Sequence, residues 1–356
     1  MFKIRKIVLL ITLILVLLVM TGCKKEDVKI GVLVYSEDDA KVTEIINYIK
    51  ENINTEYELI IKYAHQSQSL QNDQFLELLD QEVDIILVNL VDRLTANTFV
   101  EKSKVSDTPL IFFDREPVYE DLLLSDDVYY VGADSKGFGI LQAQMLKVVS
   151  GSIYDPVIAV DKNNDSILQI VFMKGEQGHQ LTEYITDTCI SEILAKKYKI
   201  DVLTMEFTDW KRETAKQKME KIYQKYGNGI EVVIANSDEL ALGVIDFVFE
   251  NNLNIISSDN KVYMPFEIIG ATANEESIEA IKQGFIYGSV IDDHIAKAEV
   301  ILSLVEFLLH KEPGEVYSVS ECGEEIDSNK ICTENEKIIY ISGEEISKRT
   351  LSKQSK

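Results

Sequence analysis

The stretch IGVLVYSEDDAKVTEIINYI, residues 30–49, decides the fold class. Its first six residues, IGVLVY, are a short continuous apolar run, the pattern of a strand buried on both faces. Val42, Ile45, Ile46 and Ile49 then recur at i, i+3, i+4 and i+7, one face of an amphipathic helix. Continuous apolar strands alternating with such helices indicate a parallel sheet covered on both sides.

The pattern continues outward from this unit. Residues 59–63, 85–90 (IILVNL) and 110–113 read as further strands, with Phe75, Leu76, Leu78 and Leu79 on one helix and residues 94–104 on another. It restarts after residues 128–131. Strands are expected over 168–173, 202–207, 232–235, 267–269, 287–290 and 338–341. Helices are expected over 137–149, 183–197, 213–226, 239–251, 275–283 and 296–309. The expected fold is α/β, with two doubly wound Rossmann-like lobes, and the length of 356 residues suits two domains. Ligands of such sheets sit at the carboxyl ends of the strands, so the cleft between the lobes is the default site.

Lys and Arg number 36 against 60 Asp and Glu, a net charge of −24. Outside the first and last few residues no Lys/Arg-rich run exists, so a nucleic-acid partner is not expected. The N-terminus is a separate unit. Lys3, Arg5 and Lys6 precede residues 7–20, apolar except for Thr12. That run is short for a membrane span and normal for a signal-peptide core. It ends in Met20, Thr21, Gly22 and Cys23, which resembles the lipobox of bacterial lipoproteins, with Met where Leu is more usual. The resemblance implies a signal peptide over 1–22, lipidation of Cys23 and an extracytoplasmic chain anchored to the bacterial cell membrane; several lipid chains suffice for stable anchoring. An uncleaved N-terminal anchor is the alternative. Removal of residues 1–22 leaves 33 basic residues and a net charge of −27.

Cys322 and Cys332 lie ten residues apart in a polar stretch and are candidates for a small disulfide outside the cytosol, or for two free thiols. Cys189 falls in an apolar helical pattern and reads as a core residue. No Cys/His spacing suggests zinc.

Residues 161–169, DKNNDSILQ, place Asp161, Asn163, Asp165 and Gln169 at positions 1, 3, 5 and 9 of a loop, with Ile167 offering its carbonyl at position 7. This is most of an EF-hand loop, whose alternating oxygens wrap a hard cation. Ser166 replaces the usual glycine, and Phe172 stands where the closing Glu would be. The bland alternative is a solvated Asp/Asn turn.

Several segments together resemble the galactose/glucose-binding proteins, solute-binding subunits of ABC sugar importers. They are IGVLVYSEDD (30–39), NLVD (89–92), FFDREP (112–117), YYVGADSKGFG (129–139), KGEQGH (174–179), TDWKRETAKQKM (208–219) and EVVIANSDELALG (231–243), in family order across nearly the whole exported chain. The resemblance implies the type I periplasmic-binding-protein architecture, with a hinge of three crossings. One lobe would comprise 27–110 and 294–337, the other 111–293 and 338–356. It also implies that Glu231 supplies the bidentate carboxylate missing from the calcium loop. Such a structural calcium ion would staple two segments of one lobe.

The same resemblance maps a sugar site onto Asp39, Asn89, His179 and Trp210. Each has a structural alternative: Asp39 as a helix cap, Asn89 as a turn anchor, His179 as a structural histidine and Trp210 as core. Elsewhere the chain departs from the family. The stacking Phe falls at Lys41, an Asp and an Arg fall at Leu181 and Ile185, and three further positions fall at Ser237, Thr272 and Asp292. Losing the Arg–carboxylate arrangement removes strong hydrogen bonds to sugar hydroxyls. Unpaired hydroxyls would cost about 1–3 kcal/mol each, so one wall is expected to be more apolar and the sugar preference altered.

The expected function is a monomeric, non-enzymatic binding subunit that closes around a monosaccharide and delivers it to an ABC permease. A lipoprotein sensory receptor signalling to a kinase or chemoreceptor is the alternative. A glycosidase needs a carboxylate pair, and no obvious dyad, G-x-S-x-G or H-E-x-x-H motif is present. A gene regulator would need a DNA-binding headpiece where the signal peptide stands.

Overall fold

The computed structural model describes residues 28–146, 148–149, 157–158, 161–256, 262–312, 314–318, 331–348 and 350–351. The expected signal peptide, Cys23 and Cys322 lie outside the described residues, so the lipidation and disulfide expectations fall there too. Among the described residues no helix is long and apolar enough to cross a membrane.

The opening stretch forms β1 (Lys29–Val34) and α1 (Ala40–Asn52). Val42, Ile45, Ile46 and Ile49 are buried, as their spacing requires. The chain continues through β2 (Glu58–Tyr63), α2 (Gln68–Asp80), β3 (Ile85–Val88), α3 (Ala96–Ser106), β4 (Leu110–Phe113), a short α4 (Tyr119–Leu122) and β5 (Val128–Ala133). It then enters the second lobe with α5 (Ser135–Met145), β6 (Ile167–Lys174), α6 (Gln180–Ala195), β7 (Lys199–Phe207), α7 (Arg212–Tyr226), β8 (Val232–Ala235), α8 (Asp238–Glu250), β9 (Glu267–Ile269), α9 (Glu275–Gln283) and β10 (Gly288–Ile291). The long α10 (His294–His310) returns to the first lobe, followed by β11 (Ile331–Asn335) and β12 (Ile338–Ile341); β13 (Glu344–Ser347) goes back to the second. Two-residue ribbons pair Val148–Val149 with Val157–Ile158 and Ile255–Ile256 with Val262–Tyr263.

The first sheet has the order β11-β12-β5-β4-β3-β1-β2, the second β13-β10-β9-β8-β6-β7. All pairings are parallel except those of β11 with β12 and β13 with β10. Each sheet is buried on both faces. Residues of α1 and α10 cover one side of the first sheet, those of α2 and α3 the other. In the second lobe, residues of α7, α8 and α9 cover one side and those of α5 and α6 the other.

This pairing corrects the expected lobe boundaries. Residues 111–133 and 338–341 belong to the first sheet, because β4 pairs with β3, β5 with β4 and β12 with β5. The chain lays down β1 to β5 before it first crosses, and adds β11 and β12 after its return. The crossings fall between β5 and α5, between β10 and α10, and between β12 and β13. Two edge strands, β11 and β13, carried no apolar run and escaped sequence reading.

The contact of α5 with α6 sets how closely the second lobe packs on this side. A Cβ on Gly139 would sit 2.5 Å from the Ile185 carbonyl and 2.9 Å from the Cys189 nitrogen. These are backbone atoms and cannot rotate away. Gly139→Ala is therefore expected to destabilise the protein by about 1–3 kcal/mol through overpacking. Urea unfolding measures it, and an unchanged midpoint would show that the helices can separate without cost.

Candidate functional site

The carboxyl ends of the parallel strands in both lobes face a cavity of about 650 Å³. The first lobe supplies Tyr35, Asp39 and Lys41 after β1, and Asp114 and Arg115 after β4. The second supplies His179 after β6, Trp210 after β7, Ser237 after β8 and Thr272 after β9. Of the sequence-derived candidates, Asp39, Lys41, His179, Trp210, Ser237 and Thr272 come together here.

Asp39 caps α1 and also lines the cavity. Its Oδ1 accepts from the Lys41 and Val42 amides at 3.0 and 3.3 Å, which caps α1. Its Oδ2 accepts from the Tyr35 hydroxyl at 2.8 Å. Burial opposes ionisation, but the Lys41 ammonium, the Tyr35 hydroxyl and the helix amides together hold the carboxyl below its ordinary range.

Asn89 is fully buried and stands behind the cavity wall. Its Oδ1 accepts from the Tyr35 amide at 3.3 Å; its Nδ2 donates to the Phe113 carbonyl at 3.2 Å and to Asp114 Oδ2 at 3.3 Å. It positions lining residues instead of lining the cavity itself. Asp292 is also buried, in an ion pair with the buried Lys297 at 2.5 Å and 3.6 Å from His294 Nδ1. Burial opposes its charge, yet Lys297 and His294 lower the carboxyl to about 2. Asp292 thus anchors the second crossing, and the neighbouring His294 lines the cavity. Ile185 is fully buried in the α6 core, so the expected apolar wall contains Leu181 without it.

Trp210 occupies a strained turn, with φ of 51° at Asp209 and 60° at Trp210. Thr208 fixes the turn, donating from Oγ1 to the Lys174 carbonyl at 2.7 Å. The indole lies against Gly175, where a Cβ would come within 2.3 Å of ring atoms. Only glycine leaves room there. The His179 ring stands edge-on to the indole, with centroids 5.4 Å apart and planes at 81°. Its Nδ1 is buried and without a partner. Burial, then Arg115 and Lys41, lowers the imidazole to about 3, so it is neutral at ordinary pH. From the opposite lobe Lys41 Nζ lies 5.7 Å from the indole centroid.

Sequence reasoning missed Tyr35, Asp114, Arg115 and His294, although the segment FFDREP pointed at two of them. The Arg115 guanidinium stacks 4.0 Å from the Tyr35 ring centroid and donates from Nη1 to the Val91 carbonyl at 3.0 Å. Asp114 has a left-handed backbone, φ 63°. Burial and the nearby Asp39 charge raise its carboxyl above the ordinary range.

The loop over residues 161–169 packs against Glu231 through its backbone amides. This buried carboxylate accepts from the Lys162 and Asn163 amides at 2.6 and 3.2 Å through Oε1, and from the Gln169 amide at 3.3 Å through Oε2. Ser166 takes the left-handed conformation of the replaced glycine, φ 64°, and its amide donates to Asp161 Oδ2 at 2.9 Å. Asp161 Oδ1 is buried without a partner. Asn163 and Asp165 are tied to Gln169 by side-chain hydrogen bonds at 3.2 and 3.0 Å. Among the described residues no three His, Cys, Asp or Glu side chains gather into a metal cluster. The donor set is a mixture of carboxylates, amides and one carbonyl, which suits a hard cation.

A family model described as a periplasmic binding protein domain matches residues 30–312. The chain belongs to this family. The D-galactose/methyl-galactoside binding periplasmic protein MglB of Haemophilus influenzae is 28% identical over 285 residues, covering 78% of this chain and 80% of that protein. A xylitol-binding protein of Mycolicibacterium smegmatis is 25% identical over 297 residues, 82% and 75% of the two chains. Among solved structures, an ABC transporter solute binding protein from Bacillus halodurans with bound myo-inositol superposes with a TM-score of 0.68. It is 21% identical and covers 94% of this chain and 99% of that one. That likeness establishes the type I periplasmic-binding-protein fold.

In a periplasmic binding protein the contacts between lobes matter as much as the cavity. Arg115 Nη2 reaches Glu176 at 3.5 Å, and Gln180 Nε2 donates to Glu116 Oε1 at 3.0 Å, both across the cleft. Beneath the cavity, Asp238 is fully buried on the first turn of α8. Its Oδ1 accepts from Ser289 Oγ at 2.7 Å, while Oδ2 has no partner. Burial raises this carboxyl from 3.8 to about 7. The folded state therefore binds the proton more tightly than the unfolded chain. The stabilisation is present in full below 3.8 and is lost as pH rises through about 7. Asp238→Asn is expected to flatten the fall of stability over that window, measured by urea unfolding at a series of pH values. An identical slope in the variant would refute the assignment.

Proposed function

We propose that this periplasmic binding protein binds a small sugar between its lobes and delivers it to an ABC permease in the membrane. The observation that carries the reading is the cavity itself. An indole held in a strained turn provides a flat apolar face for sugar C–H groups. Planar polar groups from both lobes, Asp39, Asp114, Arg115 and His179, surround it. Closure of the lobes on the ligand is the working motion, and no catalytic step is required. The Haemophilus influenzae relative named for D-galactose and methyl-galactoside binding supports a hexose as the ligand. Lys41 opposite the indole, with Leu181 on the wall, supports a preference that differs from that relative's. Lipidation of Cys23 would hold the protein at the outer face of the membrane.

Titration of the mature protein with galactose, glucose, xylitol and myo-inositol, followed by thermal shift and calorimetry, tests this. One of them should raise the melting temperature by mass action. Trp210→Ala should weaken its binding by on the order of tenfold or more, the loss of about 1.4 kcal/mol or more. Binding unchanged by the substitution would make Trp210 a core residue.

A structural calcium ion in the loop belongs to the same proposal. Asp161, Asn163, Asp165, Gln169, Glu231 and the Ile167 carbonyl would hold it. The support is the partnerless buried Asp161 Oδ1 and the glycine-like turn at Ser166. EDTA should lower the melting temperature of the wild-type protein and leave Glu231→Gln unaffected. A wild-type melting curve indifferent to EDTA and to added calcium would rule the ion out.

A further inference from the structure

The cleft contains a second cavity. It has a volume of about 340 Å³ and lies between the loops after β3 and β4 of the first lobe and the loop after β6 of the second. Asp114, Arg115, His179 and Leu181 line both cavities, so the two spaces meet at these residues. Each volume by itself falls in the roughly 300–1,000 Å³ range of ligand pockets. A single hexose seated on Trp210 leaves the second space unused.

The second cavity is built like a site for a hydroxylated ring. Val91, Leu94, Tyr130 and Leu181 give it apolar surface. Glu176, Gln177 and Gln180 give it planar polar groups. Gln180 Oε1 is buried and has no partner, although its Nε2 donates to Glu116. His179 Nδ1, at the junction, is likewise buried and unpartnered. Burying an acceptor without a donor costs free energy that a ligand hydroxyl would recover. Arg115 stands at the same junction. Nη1 and Nη2 have protein partners, and Nε makes no described bond. A guanidinium so placed can donate to oxygens on either side of it.

We propose that the cleft takes a disaccharide, with one ring over Trp210 and the second in the cavity bounded by Leu94, Gln177 and Gln180. This rests on the sugar-binding reading and extends it from a one-ring to a two-ring ligand. The junction residues Arg115 and His179 serve both rings, and the first ring alone engages Trp210.

Calorimetry of the mature protein with galactose and glucose, against lactose, melibiose, maltose and cellobiose, tests it. At least one disaccharide should bind on the order of tenfold more tightly than either monosaccharide, a gain of about 1.4 kcal/mol. Leu94 is 66% exposed and Gln177 is exposed, so bulk added there does not disturb the core. Leu94→Trp and Gln177→Trp should each weaken the disaccharide by about tenfold and leave a monosaccharide within about threefold, since neither residue lines the Trp210 cavity. A monosaccharide that binds while no disaccharide binds more tightly would overturn the two-ring site and leave the sugar reading standing. Equal weakening of one-ring and two-ring ligands by both variants would do the same. Failure of all six sugars would remove the sugar reading and the second ring with it.

Discussion

Two buried asparagines, one per lobe, hold the binding surface in place. A parallel sheet ends in a row of backbone groups that its own ladder cannot satisfy, and buried ones must find partners. In the first lobe Asn89 meets this need just past β3. It bonds the Tyr35 amide, the Phe113 carbonyl and the Asp114 carboxylate, tying the ends of β1 and β4 together. In the second lobe Asn236, just past β8, accepts from the Gly175 amide at 3.2 Å and donates to Thr186 at 3.2 Å. Each is backed by a buried glutamine. Gln71 donates to the Asn89 carbonyl at 2.9 Å, and Gln142 donates to the Ala235 and Gly270 carbonyls at 2.8 and 2.9 Å. Loops that would otherwise move independently are thereby fixed relative to their sheets.

The crossings carry their own constraint. Asp292 and Lys297 are both buried beside the second one. Removing either partner would leave a bare charge in a low-dielectric site, at a cost of about 3–5 kcal/mol. The pair fixes the start of α10 against the cleft and brings His294 to the cavity. The net charge of −24 bears on solubility and not on the fold. Burial raises the Asp114 and Asp238 carboxyls, whereas Lys41 beside Asp39 and Lys297 beside Asp292 outweigh burial and hold those two down.

Much of the fold was legible from apolar runs. The six-residue run that forms β1 and the periodicity of α1 were read directly, because burial on both faces of a sheet demands unbroken hydrophobic strands and a covering helix needs one apolar face. Two of the edge strands lack this signal: β13, with Glu344 and Glu345, and β11, ICTEN, carry polar residues and no apolar run in sequence. The lobe boundary failed for a related reason. Strand β4 looks the same in sequence whichever sheet it joins, and only its pairing with β3 assigns it. For the site, Asp39, His179 and Trp210 were legible as residues, whereas Asp114, Arg115 and His294 were visible only after folding placed them beside these.

By itself the sequence determined the α/β class, the positions of the inner strands and helices, and the chemical types gathered in the cleft. Hydrophobic period and residue identity are local properties, and a linear reading captures them. Tertiary structure alone decided which strands share a sheet, where the chain crosses, and that Asn89 and Asp292 support the cavity from behind while Ile185 retreats into the core. It also decided that two cavities meet at Arg115 and His179. These outcomes depend on distances between residues far apart in the chain, which no local pattern records.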